Sequence, residues 1–223
     1  MAGQVKSKQR VADHGEVFTN PREVNAMLDM VKQETERIDS RFLEPACGNG
    51  NFLAEVLHRK LAVVADMYRT SPYEYMRNAF VATASLYGVD LLPDNVEECR
   101  ERLYDIVENE TKSAIKKHIE QRFLDAVRFV LQKNILCGDA LTLKDANGNP
   151  IRFAEWSIVT GDKVKRRDYL LSELLEGSDE QQSLFGERDD AVEWEFDEEI
   201  QAFVPSAVEE YPLVNYWEVQ RHG

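Results

Sequence analysis

Hydrophobic and polar positions alternate along this chain in blocks that switch between two periods. Short apolar runs occupy 41–46, 86–91, 134–138 and 155–160, and each reads as a strand. Longer stretches between them repeat every three to four residues. Phe52, Leu53, Val56, Leu57, Leu61 and Val64 form one helical stripe, Tyr73 to Ser85 reads as a second helix, and Val96 to Val107 as a third. Ile115, Ile119, Phe123, Val127 and Val130 place a further helix over Lys112 to Leu131. Ahead of all of these, Pro21 opens a helix carrying Met27, Leu28 and Val31. Asp94, with Glu97 three residues on, reads as an N-cap and capping box. Strands alternating with helices predict an α/β fold, a mostly parallel sheet with helices on both faces.

The stretch Glu44-Pro45-Ala46-Cys47-Gly48-Asn49-Gly50-Asn51-Phe52 joins the first strand to a helix. Such a turn exposes backbone N–H groups at the helix start, and its two glycines let a ligand approach the backbone closely. Glu44 places a carboxylate beside that cradle, which repels phosphate and attracts an ammonium or sulfonium.

These nine residues resemble the S-adenosylmethionine (AdoMet) loop of adenine-specific DNA methyltransferases of restriction-modification systems, (D/E)-P-A-C-G-x-G-x-F. The resemblance implies a Rossmann-like class I methyltransferase fold. It also implies cofactor contacts from Glu44, Ala46, Gly48, Asn49, Gly50, Asn51 and Phe52. Upstream, Phe18 and Thr19 match a family G-x-x-(F/Y)-T-P segment, with Asn20 inserted before Pro21. An acid at the end of the second strand of nucleotide-binding sheets accepts hydrogen bonds from ribose hydroxyls. Asp90, followed by Leu91, stands there. Gly138-Asp139-Ala140-Leu141 resembles the family's G-D-(A/F)-L, which sets Asp139 and Ala140 near the cofactor's adenine.

The resemblance covers about Gly15 to Ala140 and stops in the catalytic half. The family follows its fourth strand with (D/N/S)-P-P-(Y/F), whose polar groups accept the target amine's hydrogens and whose aromatic stacks on the flipped base. Asn149-Pro150-Ile151 lacks the second proline and the aromatic. After 155–160 the chain offers only Asp162 as the polar group and Tyr169 as a displaced aromatic. Between them Lys163, Lys165, Arg166 and Arg167 form the densest basic cluster, a candidate contact for DNA phosphates.

Charge divides the chain further. The 223 residues carry −14, yet 15 acids and two arginines lie from Ser172 to Gly223, leaving −1 on the first 171 residues. The expected division is therefore an AdoMet-binding domain over 1–171 and an acidic segment over 172–223, partly disordered or adding edge strands at 202–205 and 214–219. No apolar run reaches the roughly 18 residues of a membrane span. Cys47, Cys99 and Cys137 form no CxxC pair and, with four histidines, no metal constellation. A cytoplasmic protein with no membrane attachment is expected. Its expected function is AdoMet-dependent methylation of adenine in DNA. The alternative is a catalytically incomplete AdoMet-binding subunit, completed or regulated by another restriction-modification chain that supplies target recognition.

Overall fold

The computed structural model describes residues 10, 19–116, 118–173, 194–197 and 202–223. It is a mixed α/β structure. Helix α1 (Pro21–Met30) and a single turn, α2 (Lys32–Thr35), lead into β1 (Phe42–Glu44). Helices α3 (Asn51–Tyr68) and α4 (Pro72–Ala84) precede β2 (Leu86–Asp90), and α5 (Pro93–Ile115) and α6 (Gln121–Asn134) precede β3 (Ile135–Asp139). Strands β1, β2 and β3 are parallel neighbours in that order, and a two-residue antiparallel strand, β4 (Lys144–Asp145), closes the edge beside β3. The register sets Glu44 beside Gly88 and Asp90 beside Cys137. The carboxyl ends of the three parallel strands therefore lie side by side, about 5 Å apart.

The helices share one core. Leu28, Leu57, Leu61, Phe80, Leu103, Phe123 and Val127 are buried there with Leu86 of β2 and Ile135 of β3. The other face of the sheet, carrying Tyr87 and Val89, is covered by Ile151, Phe153 and Leu171. The expectation of helices on both faces is corrected here. Among the described residues the second face is packed by strand and loop side chains and by a helical turn at 171–173.

The fourth strand also differs from expectation. Strand β5 (Arg152–Thr160) does not join the parallel sheet; it turns back through Gly161-Asp162 into β6 (Lys163–Leu170), its antiparallel partner. Gly161 has φ +54°. A two-residue connection of this kind can join only antiparallel neighbours. Short strands β9 (Glu209–Glu210) and β10 (Val214–Asn215) pair with β6, while β7 (Trp194–Asp197) and β8 (Ala202–Pro205) pair with each other.

Two helix boundaries are corrected. The apolar stripe from Ile115 to Val130 is buried, but it is carried by the end of α5, by Ile119 in the connection and by α6. Lys116 closes α5 in the left-handed region, φ +49°. Asp94 is not the N-cap: α5 begins with Leu92 at that position and Pro93 at the first turn, and Asp94 pairs with Arg10 at 2.7 Å.

The division at residue 171 does not divide the core. A 3-10 helix (Tyr216–His222) follows β10 and packs on α6. Its Tyr216 and Val219 are 2% and 0% exposed within the main cluster, with the Tyr216 ring 5.3 Å from that of Phe80.

Beneath the sheet, at the amino ends of β1 and β2, Lys60 is fully buried. Its ammonium donates to the carbonyls of Ile38 and Ser40 and to Ser85 Oγ. Burial pulls its pKa down to about 7. Between that value and the ordinary lysine value the unfolded chain binds a proton that the fold does not. The stability contributed by Lys60 therefore rises with pH from about 7 to about 10.5, by up to about 1.4 kcal/mol per pH unit. Urea unfolding of wild type and Lys60→Met at pH 7, 8.5 and 10 should give a stability difference that shifts toward wild type as pH rises. A difference independent of pH would contradict the buried, proton-shedding lysine.

Candidate functional site

The loop after β1 is built by four local constraints. Cys47 donates its N–H to Val89 O at 2.9 Å, anchoring the turn to β2. Gly50 donates to Cys47 O at 2.8 Å and closes the turn. Gly48 and Gly50 have φ +52° and +83°, which glycine adopts without strain. Beneath the turn, Gly88 of β2 leaves room for Cys47: a Cβ at 88 would lie 3.0 Å from its Sγ. Gly50 is the residue before α3, and the first helical bond is Ala54 N–H to Gly50 O. The cap supplies no side-chain acceptor, so none of the N–H groups of the first turn is satisfied by the cap residue.

The acids expected at the strand ends are in place, with different environments. Glu44 is partly buried, and burial pushes its carboxyl pKa up against the opposing hydrogen bond from Ala46 N–H. Asp90 accepts from Gly48 N–H at 2.9 Å through Oδ2, and from Leu92 N–H at 2.9 Å and Asn95 Nδ2 at 3.2 Å through Oδ1. Asp90 thus ties the loop to the turn after β2. Asp139 accepts from Leu141 N–H at 2.8 Å, which holds its carboxyl below the usual range. Leu91 and Leu141, which follow these two acids, are 57% and 95% exposed. Ala140 is partly buried beside the second cluster, and Phe52 packs partly buried against the main core.

Thr19 is exposed, and Asn20 caps α1 by accepting from Arg22 N–H at 2.9 Å. The insertion of Asn20 thus serves the helix start. Phe18 lies outside the described residues. The structure therefore places Glu44, Ala46, Gly48, Asn49, Gly50, Asn51, Phe52, Asp90, Leu91, Asp139 and Ala140 at or just after the carboxyl ends of the three parallel strands.

The residues expected to carry catalysis are not gathered. Asp162 sits in the β5–β6 turn, hydrogen-bonded to Tyr73, whose phenol pKa it pushes up. Tyr169 lies seven residues further, about 20 Å along β6, opposite Phe153. It lines a cleft of about 200 Å³ with Arg41, Leu43, Tyr87, Phe153 and Glu155. Burial pushes its pKa up to about 12. Two groups so far apart on one strand cannot serve one amine.

The basic cluster is likewise corrected. Alternation along β6 turns Arg166 inward, where it is 3% exposed and forms a bidentate pair with Asp168 at 2.7 Å. It also donates to His222 O at 3.2 Å and lies 4.1 Å over the Tyr211 ring. Lys165 and Arg167 both pair with Glu210, at 2.6 and 3.1 Å, while Lys163 is exposed. Two of the four cations pair with Glu210, and Arg166 meets the His222 carbonyl and the Tyr211 ring, so three of the four tie the C-terminal segment to β6.

Residues that the sequence did not single out complete the site. Glu98, Cys99 and Arg102 of α5 contact Asn49, Gly50 and Asn51. Their helical spacing marks a common face, but nothing in the chain's pattern shows that this face meets the loop.

Among the described residues no helix is long and apolar enough to cross a membrane. No protein-family model, curated protein or solved structure matches the chain.

Proposed function

We propose that this chain is an AdoMet-binding protein of the methyltransferase type, with a Rossmann-like sheet, directed at adenine in DNA. The observation that carries the reading is the loop after β1. Two left-handed glycines, an uncapped helix start and Asp90 meet there beside Glu44 and Asp139. The donor set fits the cofactor. Backbone N–H groups at the start of α3 suit its carboxylate, and Glu44 suits its cationic end. Asp90 and Leu91 suit its ribose, and the turn at Asp139 and Ala140 suits its adenine. When bound, AdoMet supplies an electrophilic methyl group. The residues of this chain bind and orient it, so their contribution to rate is positioning.

A second reading, an AdoMet-binding subunit completed by another chain, is favoured by the β5–β6 hairpin. It occupies the stretch where the resemblance calls for a parallel strand and the amine-binding motif.

Calorimetric titration with AdoMet, followed by labelled methyl transfer to unmodified DNA, separates the readings. Binding with transfer supports the first, binding without transfer the second, and absence of binding refutes both. Asp90→Ala removes acceptors for Gly48 and Leu92 and should weaken AdoMet binding by about 1–3 kcal/mol. Unchanged affinity in that titration would remove Asp90 from the site.

A further inference from the structure

Helix α5 presents Glu98, Cys99 and Arg102 on one stripe, and each meets a successive residue of the loop. Glu98 Oε1 accepts from Asn49 Nδ2 at 2.9 Å. Cys99 Sγ lies 2.6 Å from where a Cβ on Gly50 would stand. Arg102 donates to Asn51 Oδ1. With Asp90 on the Gly48 N–H, four consecutive loop residues are each held by a residue distant in sequence.

Asn49 is 7% exposed, so the orientation of its amide matters. A carboxylate only accepts, so Glu98 fixes the Nδ2 end of that amide toward itself. Asn49 Oδ1 is then left as a buried acceptor with no hydrogen-bond partner among the described residues. An unpaired buried acceptor is unfavourable, and a ligand donor removes the penalty.

We infer that Glu98 and Arg102 are positioning residues for the loop, and that Glu98 sets Asn49 Oδ1 to accept a hydrogen bond from an N–H or O–H of the bound ligand. The ligand half of this inference rests on the AdoMet reading, whose ligand carries an ammonium, an exocyclic amine and two ribose hydroxyls.

The test uses the full chain as wild type, Glu98→Ala, Glu98→Gln and Arg102→Met. AdoMet calorimetry, thermal melting and amide hydrogen exchange at residues 48–53 are read on the same samples. Glu98→Ala and Arg102→Met should each weaken AdoMet binding about tenfold or more and speed exchange in the loop, with the melting midpoint lowered by about ten degrees at most. Glu98→Gln keeps an acceptor for Asn49 Nδ2 and should bind as wild type. Equal affinity and unchanged exchange in Glu98→Ala and Arg102→Met would overturn the inference, as would a loss in Glu98→Gln as large as in Glu98→Ala. If Glu98→Ala fails to fold, Arg102→Met carries both readouts. Wild type that does not bind AdoMet refutes the cofactor reading, and exchange then decides the clamp: faster in the variants upholds it, unchanged overturns it.

Discussion

Deletion of residues 211–223 should abolish cooperative folding or lower its midpoint by tens of degrees. The acidic composition of the C-terminal quarter suggests a dispensable tail, but its last residues are core. Tyr216 fills a space against Phe80, and Val219 is fully enclosed. Losing a buried aromatic costs about 3–5 kcal/mol, and the lost valine burial adds about 2 kcal/mol. A domain of this kind is stable by about 5–15 kcal/mol in all. Arg166 would also lose the His222 carbonyl and the Tyr211 ring. Thermal unfolding followed by circular dichroism checks this: the truncated chain should show no cooperative transition at 25 °C or above, or one lowered by tens of degrees. A midpoint equal to wild type would show that the C-terminal helix is not part of the core.

Gly50→Ala should abolish AdoMet binding and destabilise the fold. A non-glycine residue at φ +83° costs about 1–2 kcal/mol. The added methyl would overlap Cys99 Sγ, at 2.6 Å, where overpacking costs about 1–3 kcal/mol more. The loop would have to move away from α5, carrying the start of α3 with it. Cys99→Ala in the same chain removes the sulfur but leaves the backbone strain, so the double variant should recover part of the stability. Calorimetry and melting of the two single variants and the double variant measure this coupling. Wild-type affinity in Gly50→Ala would show that the loop is not held as the structure has it.

The hairpin shows a local turn signal prevailing over the expected parallel strand. Thr160-Gly161-Asp162-Lys163 between two runs of alternating side chains is a hairpin pattern. A strand's partner lies outside its own sequence, so a run of apolar residues carries no direction of pairing. The same limit explains Arg166. Its place in a basic run made it a candidate phosphate contact, whereas the two-residue period of β6 turns it inward onto Asp168.

Other features were legible because their causes are local. The positions of β1, β2 and β3, the helical stripes buried in the core, and the glycine turn at 48–50 all follow from periodicity and from the backbone freedom of glycine. Asp90 and Asp139 were placed at strand ends by the same logic. Contacts made across long separations were decided by packing instead: α5 gripping the loop through Glu98, Cys99 and Arg102, and the last residues closing the core through Tyr216. Each depends on how helices of a given length and tilt come to rest on the sheet. That arrangement is set by the summed burial of side chains distant in the chain, which no local stretch records.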